Sequence, residues 1–171
     1  MIVRVVRFEV STVVLAPPAA VFDVSLSVEV HTSSMSRSRE RAVAGVTSGR
    51  LALGDRVTWQ ATHFGLPWRL TSLISAWDRP RFFVDEQVTG PFRHWRHEHH
   101  FTAYGAGDGS GGAAGTLMRD VVEFSAPAGP LGALAEALVL RRYLTRLIEL
   151  RNQHVKAAAE DRRPGGSARL P

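Results

Sequence analysis

The sequence predicts an α+β fold of the helix-grip type: a curved, seven-stranded antiparallel sheet wrapped on one long C-terminal helix, with two short helices after the first strand. Three observations predict it. Six strand-like runs fill residues 39–125, and most of the breaks between them are too short to hold a crossover helix, so neighbours must pair antiparallel. One segment beyond Pro130 carries a long apolar stripe at helical spacing. A pair of prolines opens a short helical stretch after the first strand-like run.

Taken in order, Val3–Leu15 alternates and puts Phe8, Val10, Thr12 and Val14 on one face. Ala16-Pro17-Pro18 ends that strand. Proline's fixed φ and missing N–H suit a first helical turn, so one or two short helices are expected within Ala19–Val30. Strands are then expected over Arg39–Thr47, Arg56–Phe64, Trp68–Trp77, Phe82–Val88, Phe92–Tyr104 and Thr116–Ser125. Their breaks are Gly49, Gly54-Asp55, Gly65-Leu66-Pro67, Asp78-Arg79-Pro80, Thr89-Gly90-Pro91 and the run from Gly105 to Gly115. After Pro127-Ala128-Gly129-Pro130 the period is helical. Ala133, Ala137, Leu140, Leu144, Leu147, Ile148, Arg151 and Val155 share a face that Leu134, Tyr143 and Leu150 widen, with Arg142, Arg146 and Glu149 opposite. A concave sheet must be covered, and a strongly curved sheet closed by one helix leaves an internal cavity. Residues 1–160 are read as a single ligand-binding domain and 161–171, DRRPGGSARLP, as a disordered tail.

Composition narrows the classes. At 171 residues and 44% hydrophobic, the chain suits one domain with a sizeable core. With no cysteine it has no disulfide scaffold, thiol nucleophile or Cys-rich metal site. No apolar run reaches the roughly 18–20 residues that span a bilayer, and the N-terminus lacks the apolar region of a signal peptide, so a cytoplasmic protein without stable membrane insertion is expected. The net charge of +5 is local: from Arg141 onward eight basic residues face three acidic ones, which accounts for the whole excess. That helix lacks exposed aromatics between its arginines, and Glu149 interrupts it, so nucleic acid is not an expected partner.

Several stretches resemble a known family. APPAAVFDV, LGDRVTW, FFVDEQVTGPFRHWRHEHHF, GTLMRDVVEF and the PAGPLG lead into the last helix are similar to the START/Bet v 1-like (SRPBCC) superfamily of polyketide cyclases, lipid-transfer domains and related ligand-binding proteins, over roughly residues 8–155. HTSSM, VTWQATHFG and the GPF…H-E-H stretch look like a bacterial subgroup termed cyclases by similarity. The resemblance implies the helix-grip fold. Its functional range is wider, from cyclases and aromatase/dehydratases to hydroxylase subunits and non-catalytic carriers.

Strand alternation assigns faces. In Thr116–Ser125, Arg119 and Glu123 belong in water, so Met118, Asp120, Val122 and Phe124 face the concavity. In Phe92–Tyr104 the set Trp95, His97, His99 and Phe101 opposes His94, Arg96, Glu98 and His100, which puts His97 and His99 inside. In Arg56–Phe64, His63 is inside with Val57, Trp59 and Ala61. Over Phe82–Val88 alternation alone turns Asp85 outward, because Phe82, Val84 and Val88 are the more apolar set; the resemblance makes Asp85 the informative position instead. His63, His97, His99 and Asp120, with Asp85 and with His31 of HTSSM, are the groups expected at one concavity. Such buried ionisable clusters concentrate at functional sites.

Two chemistries suit that set. His97-x-His99 puts two imidazoles on one side of a strand, with His63 or Asp120 as a third metal ligand; the alternative is two core histidines satisfied by Asp120, Ser72 or backbone. HEHHF does not match H-E-x-x-H, and no metal or other cofactor is assigned. General acid–base chemistry is the preferred reading. A histidine held by a carboxylate can remove an acidic C–H proton or protonate a leaving hydroxyl, and a reactive polyketide chain needs little beyond folding, dry surroundings and one proton shuttle. His97 or His63 is the expected shuttle, oriented by Asp120 or Asp85, with His99 beside them; His31, Trp59, Trp95, Phe101 and Met118 would shape the pocket. Arg151 interrupts the apolar stripe and either snorkels at the cavity edge, near an anionic ligand group, or pairs with an inward carboxylate. Gly107 to Gly112 matches G-x-G-x-x-G but leads into a strand, and no G-x-S-x-G occurs, which argues against nucleotide binding and acyl transfer. The expected partner is a small hydrophobic molecule bound by a monomer or homodimer. Cofactor-independent cyclisation or dehydration leads, and a non-catalytic lipid or hydrophobic-ligand carrier is the alternative.

Overall fold

The computed structural model describes residues 5–105, 115–125 and 133–162. Strand β1 (Val6–Val14) is followed by helices α1 (Pro18–Ser25) and α2 (Val28–Ser34) and a 3-10 turn at Ser36–Ser38. Six strands come next: β2 (Arg41–Gly45), β3 (Arg56–His63), β4 (Leu66–Asp78), β5 (Phe82–Thr89), β6 (His94–Tyr104) and β7 (Gly115–Ser125). Helix α3 (Ala133–Asp161) closes the chain. The strands form one curved sheet in the order β1-β7-β6-β5-β4-β3-β2, with each neighbouring pair antiparallel. This is the helix-grip architecture.

Local chemistry explains the helices before the sheet. Pro18 starts α1, and Ser27 caps α2 by accepting a hydrogen bond from the Val30 N–H at 3.3 Å. Phe22 of α1 is fully buried, with its ring edge-on to Trp77, Phe83 and Phe101 at 5.3, 5.5 and 5.5 Å. On the outer side of α1, Asp23 accepts two 2.9 Å hydrogen bonds from Arg79. The helix is thus pinned from both faces.

Boundaries differ from expectation at the turns. The β3–β4 turn is Phe64-Gly65, at φ 53° and 76°, so Leu66 and Pro67 belong to β4. Phe64 tolerates that left-handed backbone because its ring lies on Tyr143 of α3, at 4.6 Å. Phe92 lies outside β6, since its N–H and C=O both bond the Gln87 side chain instead of a strand. Gly115 opens β7 where β1 passes close: a Cβ there would stand 2.5 Å from the Val14 carbonyl oxygen. The glycine run at 107–112 and the Pro127–Pro130 segment lie outside the described residues, as does the expected tail from 163 onward. Among the described residues no helix is long and apolar enough to cross a membrane.

Two apolar clusters fill the space under α3. One gathers Val14, Phe22, Phe83, Phe101, Met118 and Val155; the other Phe8, Phe92, Val122, Phe124, Leu144 and Ile148. Along β7 the two are separated by Asp120, along β6 by His97 and His99, and along α3 by Arg151 and Asn152. A band of buried polar groups therefore crosses the core.

Candidate functional site

Sheet register builds that band. Asp85 of β5 is directly opposite His97 of β6, and His99 is directly opposite Asp120 of β7. Since i and i+2 share a face, two carboxylates and two imidazoles meet on the concave side of three adjacent strands. Asp85 therefore faces inward, and the outward assignment from alternation was mistaken. Val84 is buried although it belongs to the opposite set, so apolarity did not identify the cavity face of β5.

The four side chains are linked in a cycle. His97 Nε2 is 2.8 Å from Asp120 Oδ1, and His99 Nε2 is 3.0 Å from Asp85 Oδ2. His99 Nδ1 also lies 2.8 Å from Asp120 Oδ1 but is poorly directed, and among the described residues it is the one buried side-chain N or O atom without a hydrogen-bond partner. The cycle closes at His97 Nδ1, which stands 3.7 Å from Asp85 Oδ2, too far for a hydrogen bond. His97 and His99 stack with ring centroids 3.8 Å apart, and Phe83 covers the other face of His99 at 4.1 Å.

Helix α3 completes the centre with two consecutive residues. Asn152 Nδ2 donates to Asp120 Oδ2 at 2.7 Å. Arg151, which is buried, donates to the Ser25 carbonyl at 3.1 Å and to Asn152 Oδ1 at 3.4 Å, and its Nη1 is 3.6 Å from Asp120 Oδ1. It thus pairs with an inward carboxylate and does not snorkel.

Charge follows from this packing. Burial opposes ionisation of Asp120, but the hydrogen bond from His97, the close approach of His99 and the charge on those rings outweigh it and hold the carboxyl well below its usual range. Burial likewise opposes ionisation of Asp85, yet the His99 hydrogen bond and the charges of His97, His99 and Arg151 keep it down at about 2. Burial, with the neighbouring His99 ring, pushes His97 below its ordinary value, against the pull of both carboxylates. With both imidazoles neutral, two carboxylates and one guanidinium leave one negative charge at the centre. An ionised carboxylate can only accept, so His97 carries its proton on Nε2 and directs it to Asp120. Its Nδ1 keeps a lone pair with no hydrogen-bond partner among the described residues.

Beside the centre lies a cavity of about 170 Å³, with His97, His99, Asp85 and Arg151 in its wall. Most of the remaining lining is apolar, including Leu51, Leu70, Phe92, Leu144 and Ile148. Trp59 and Trp95 also line it, as expected. Phe101 and Met118 do not: both are packed in the core beneath, around Phe22 and Val155, so they are not cavity residues.

The two other histidines stand apart from the cycle. His63 Nδ1 is 2.7 Å from Tyr143 Oη of α3, and burial pushes His63 below its ordinary value while Glu40 opposes. His31 stacks on Trp59 at 4.1 Å and pairs with Glu40 at 2.7 Å. Both line the cavity, and His63, bonded to Tyr143, does not join the His97–His99 pair as the third ligand that it was one of two candidates for. Asn152 and Tyr143 had no assigned role. The signal for Asn152 was its place as a polar residue four after Ile148 and three before Val155 on the buried stripe.

The family model described as polyketide cyclase/dehydrase and lipid transport matches residues 5–160. No curated protein matches the chain. Among solved structures it is similar to the Zhui aromatase/cyclase from Streptomyces sp. R1128, at TM-score 0.67 and 18% identity over 96% of this chain and 99% of that one. It is also similar to TTHA0849 from Thermus thermophilus, at TM-score 0.68 and 16% identity over 91% and 97%. A major latex-like protein from Panax ginseng aligns at TM-score 0.53 and 13% identity over 88% and 97%. At these identities the likenesses speak for the fold alone, and the family model carries the assignment. The chain belongs to the polyketide cyclase/dehydrase and lipid-transport family of the START/Bet v 1-like superfamily.

Proposed function

We propose that this protein binds a small hydrophobic, polyketide-like molecule between sheet and α3 and promotes its cyclisation or dehydration by proton transfer at His97. One observation carries the reading: His97 is in the wall of a largely apolar cavity with its Nε2 fixed on the buried Asp120, which leaves Nδ1 unbonded, 3.7 Å from Asp85. In that arrangement Nδ1 removes a proton from a carbon next to a carbonyl, and Asp120 stabilises the imidazolium that forms. The enolate carbon attacks a second carbonyl of the same chain to close a ring. The proton on His97 then goes to the alkoxide formed by the attack, giving a hydroxyl; in a dehydration His97 next removes a second proton from the carbon between that hydroxyl-bearing carbon and a carbonyl and returns it to the hydroxyl, which leaves as water as the C=C bond forms. The cavity keeps bulk water from quenching the enolate. Tyr143 and His63, hydrogen-bonded to each other elsewhere in the lining, supply a second proton donor for oxygen atoms of the ligand.

The test uses purified wild-type protein, His97→Ala and His63→Ala with a linear poly-β-ketone. His97→Ala is expected to retain ligand in native mass spectrometry and to lose conversion. Unchanged conversion in both variants would overturn the assignment. The carrier reading draws on a specific observation of its own: His97, His99, Asp85, Asp120, Asn152 and Arg151 each make a hydrogen bond to another member of the centre, as suits an anchor. A co-purified lipid that wild type holds unaltered would favour it.

A further inference from the structure

We propose that His97 Nδ1, His99 Nε2 and Asp85 Oδ2 form a binding site for one divalent first-row transition-metal ion. The inference rests on the geometry of the centre, and it stands or falls independently of the conversion proposed above.

The three donor atoms lie within 4.8 Å of one another, with Asp85 Oδ2 at 3.0 Å from His99 Nε2 and 3.7 Å from His97 Nδ1. Bonds of about 2.0–2.2 Å to nitrogen and oxygen put donors around one ion roughly 3–3.5 Å apart, so small side-chain shifts suffice. The set comes from three positions that the sheet holds rigidly: two alternate residues of β6 and the β5 residue directly opposite one of them.

The far side of each ring strengthens the case. A metal-bound imidazole keeps its orientation and tautomer by directing its other nitrogen to a carboxylate. Here one carboxylate oxygen stands beside both rings, since Asp120 Oδ1 is 2.8 Å from His97 Nε2, which it bonds, and 2.8 Å from His99 Nδ1. Asp120 is fully buried and held in turn by Asn152 at 2.7 Å. His97 Nε2 already makes its hydrogen bond to Asp120, and a small turn of the His99 ring would aim its Nδ1–H at the same oxygen.

Charge and access point the same way. With neutral imidazoles the two carboxylates and Arg151 sum to one negative charge, so a dication leaves one positive charge for an anionic oxygen ligand, such as hydroxide or an enolate. The three donors line the cavity, which leaves the ion's remaining positions open to that ligand. Two imidazoles with one carboxylate suit zinc, cobalt, nickel or iron(II) better than magnesium or calcium, which prefer oxygen alone. The ion takes the same lone pair that proton abstraction needs. A loaded protein therefore has a Lewis acid in place of the His97 base, and the two states exclude one another.

The full-length protein, stripped with EDTA, would be titrated with Co²⁺ and with Zn²⁺ by calorimetry, and with Co²⁺ by visible absorption. One equivalent of saturable binding is expected, with cobalt bands of low-symmetry nitrogen and oxygen coordination. His97→Ala and His99→Ala should each abolish the one-equivalent phase, and Asp120→Asn should weaken it by about 10–100-fold. Circular dichroism checks that each variant is folded, and the wild-type titration decides even where one is not. Absence of one-equivalent binding to wild type overturns the site, as does undiminished binding by an Asp85→Asn/His97→Gln double variant. If wild type takes up no cation while His97→Ala still loses conversion, the metal site falls and the proton shuttle stands. If saturating Zn²⁺ binds at His97 and leaves conversion unchanged, the metal site stands and the shuttle falls.

Discussion

His97 Nε2 lies 2.8 Å from Asp120 Oδ1, an imidazole on β6 bonded to a carboxylate on β7 that has no exposure to solvent. Around this pair the sheet has placed an ionised group where bare burial would forbid one, and what surrounds Asp120 is what permits it. Perturbing the pair, or the cavity beside it, has measurable consequences.

Asp120→Ala should be among the most destabilising single substitutions in the chain. It removes the acceptor of His97 and Asn152 and the countercharge beside His99 and Arg151, and breaking a buried network of this kind costs about 3–5 kcal/mol. Urea unfolding of the variant against wild type measures it; a loss under about 1 kcal/mol would mean that Asp120 is not the hub described.

Asn152→Ala should cost about 1.5–3 kcal/mol, the range for a hydrogen bond to a charged group, through loss of the 2.7 Å bond to Asp120. Its neighbour Gln153 is exposed, so Gln153→Ala is a control expected to change stability by less than about 0.5 kcal/mol. Equal effects of the two substitutions would contradict the assignment of Asn152.

His63 supplies a pH dependence whose sign can be worked out. Its folded pKa lies below the unfolded value because burial, the dominant influence, disfavours the charged ring, with Glu40 opposing. The unfolded chain therefore binds the proton first. Stability is complete above about pH 6.5 and falls as the pH drops from there through the folded pKa. Chemical denaturation from pH 8 to pH 5 should show a shallower fall in His63→Gln than in wild type; an identical slope would exclude His63 as a contributor.

Leu144→Phe should fill part of the 170 Å³ cavity from the α3 side, where Leu144 is buried against Ile148 and Phe92. A cavity of about 150 Å³ accommodates one benzene-sized ring, so the added ring competes directly with a ligand. Retention of a bound molecule in native mass spectrometry should drop at least tenfold, with thermal stability nearly unchanged. Undiminished retention would place the ligand elsewhere.

Legibility differed from element to element. The seven strands and α3 were readable because alternation and the helical stripe are backbone periodicities that packing did not override. The inward positions of His97, His99 and Asp120 followed from charged neighbours, Arg96 and Glu98 or Arg119 and Glu123, that had to reach water. Asp85 defeated the same logic, since Val84 on the opposite face of β5 is also buried. Phe101 and Met118 show the converse: they face inward as expected, but α1 brings Phe22 down on them, so they became core instead of cavity wall.

By itself, then, the sequence determined the architecture, the inward set on β6 and β7, and a polar interruption in the helix stripe at Arg151. Each of these depends only on spacing along the chain. Register and docking decided the rest: that Asp85 meets His97, that Asp120 lies beside both imidazoles, that Asn152 reaches Asp120, and that His63 and His31 are drawn off to Tyr143 and Glu40. Those pairings join residues up to 80 positions apart, and a shift of one residue between strands would have turned each of the strand-borne groups away from its partner.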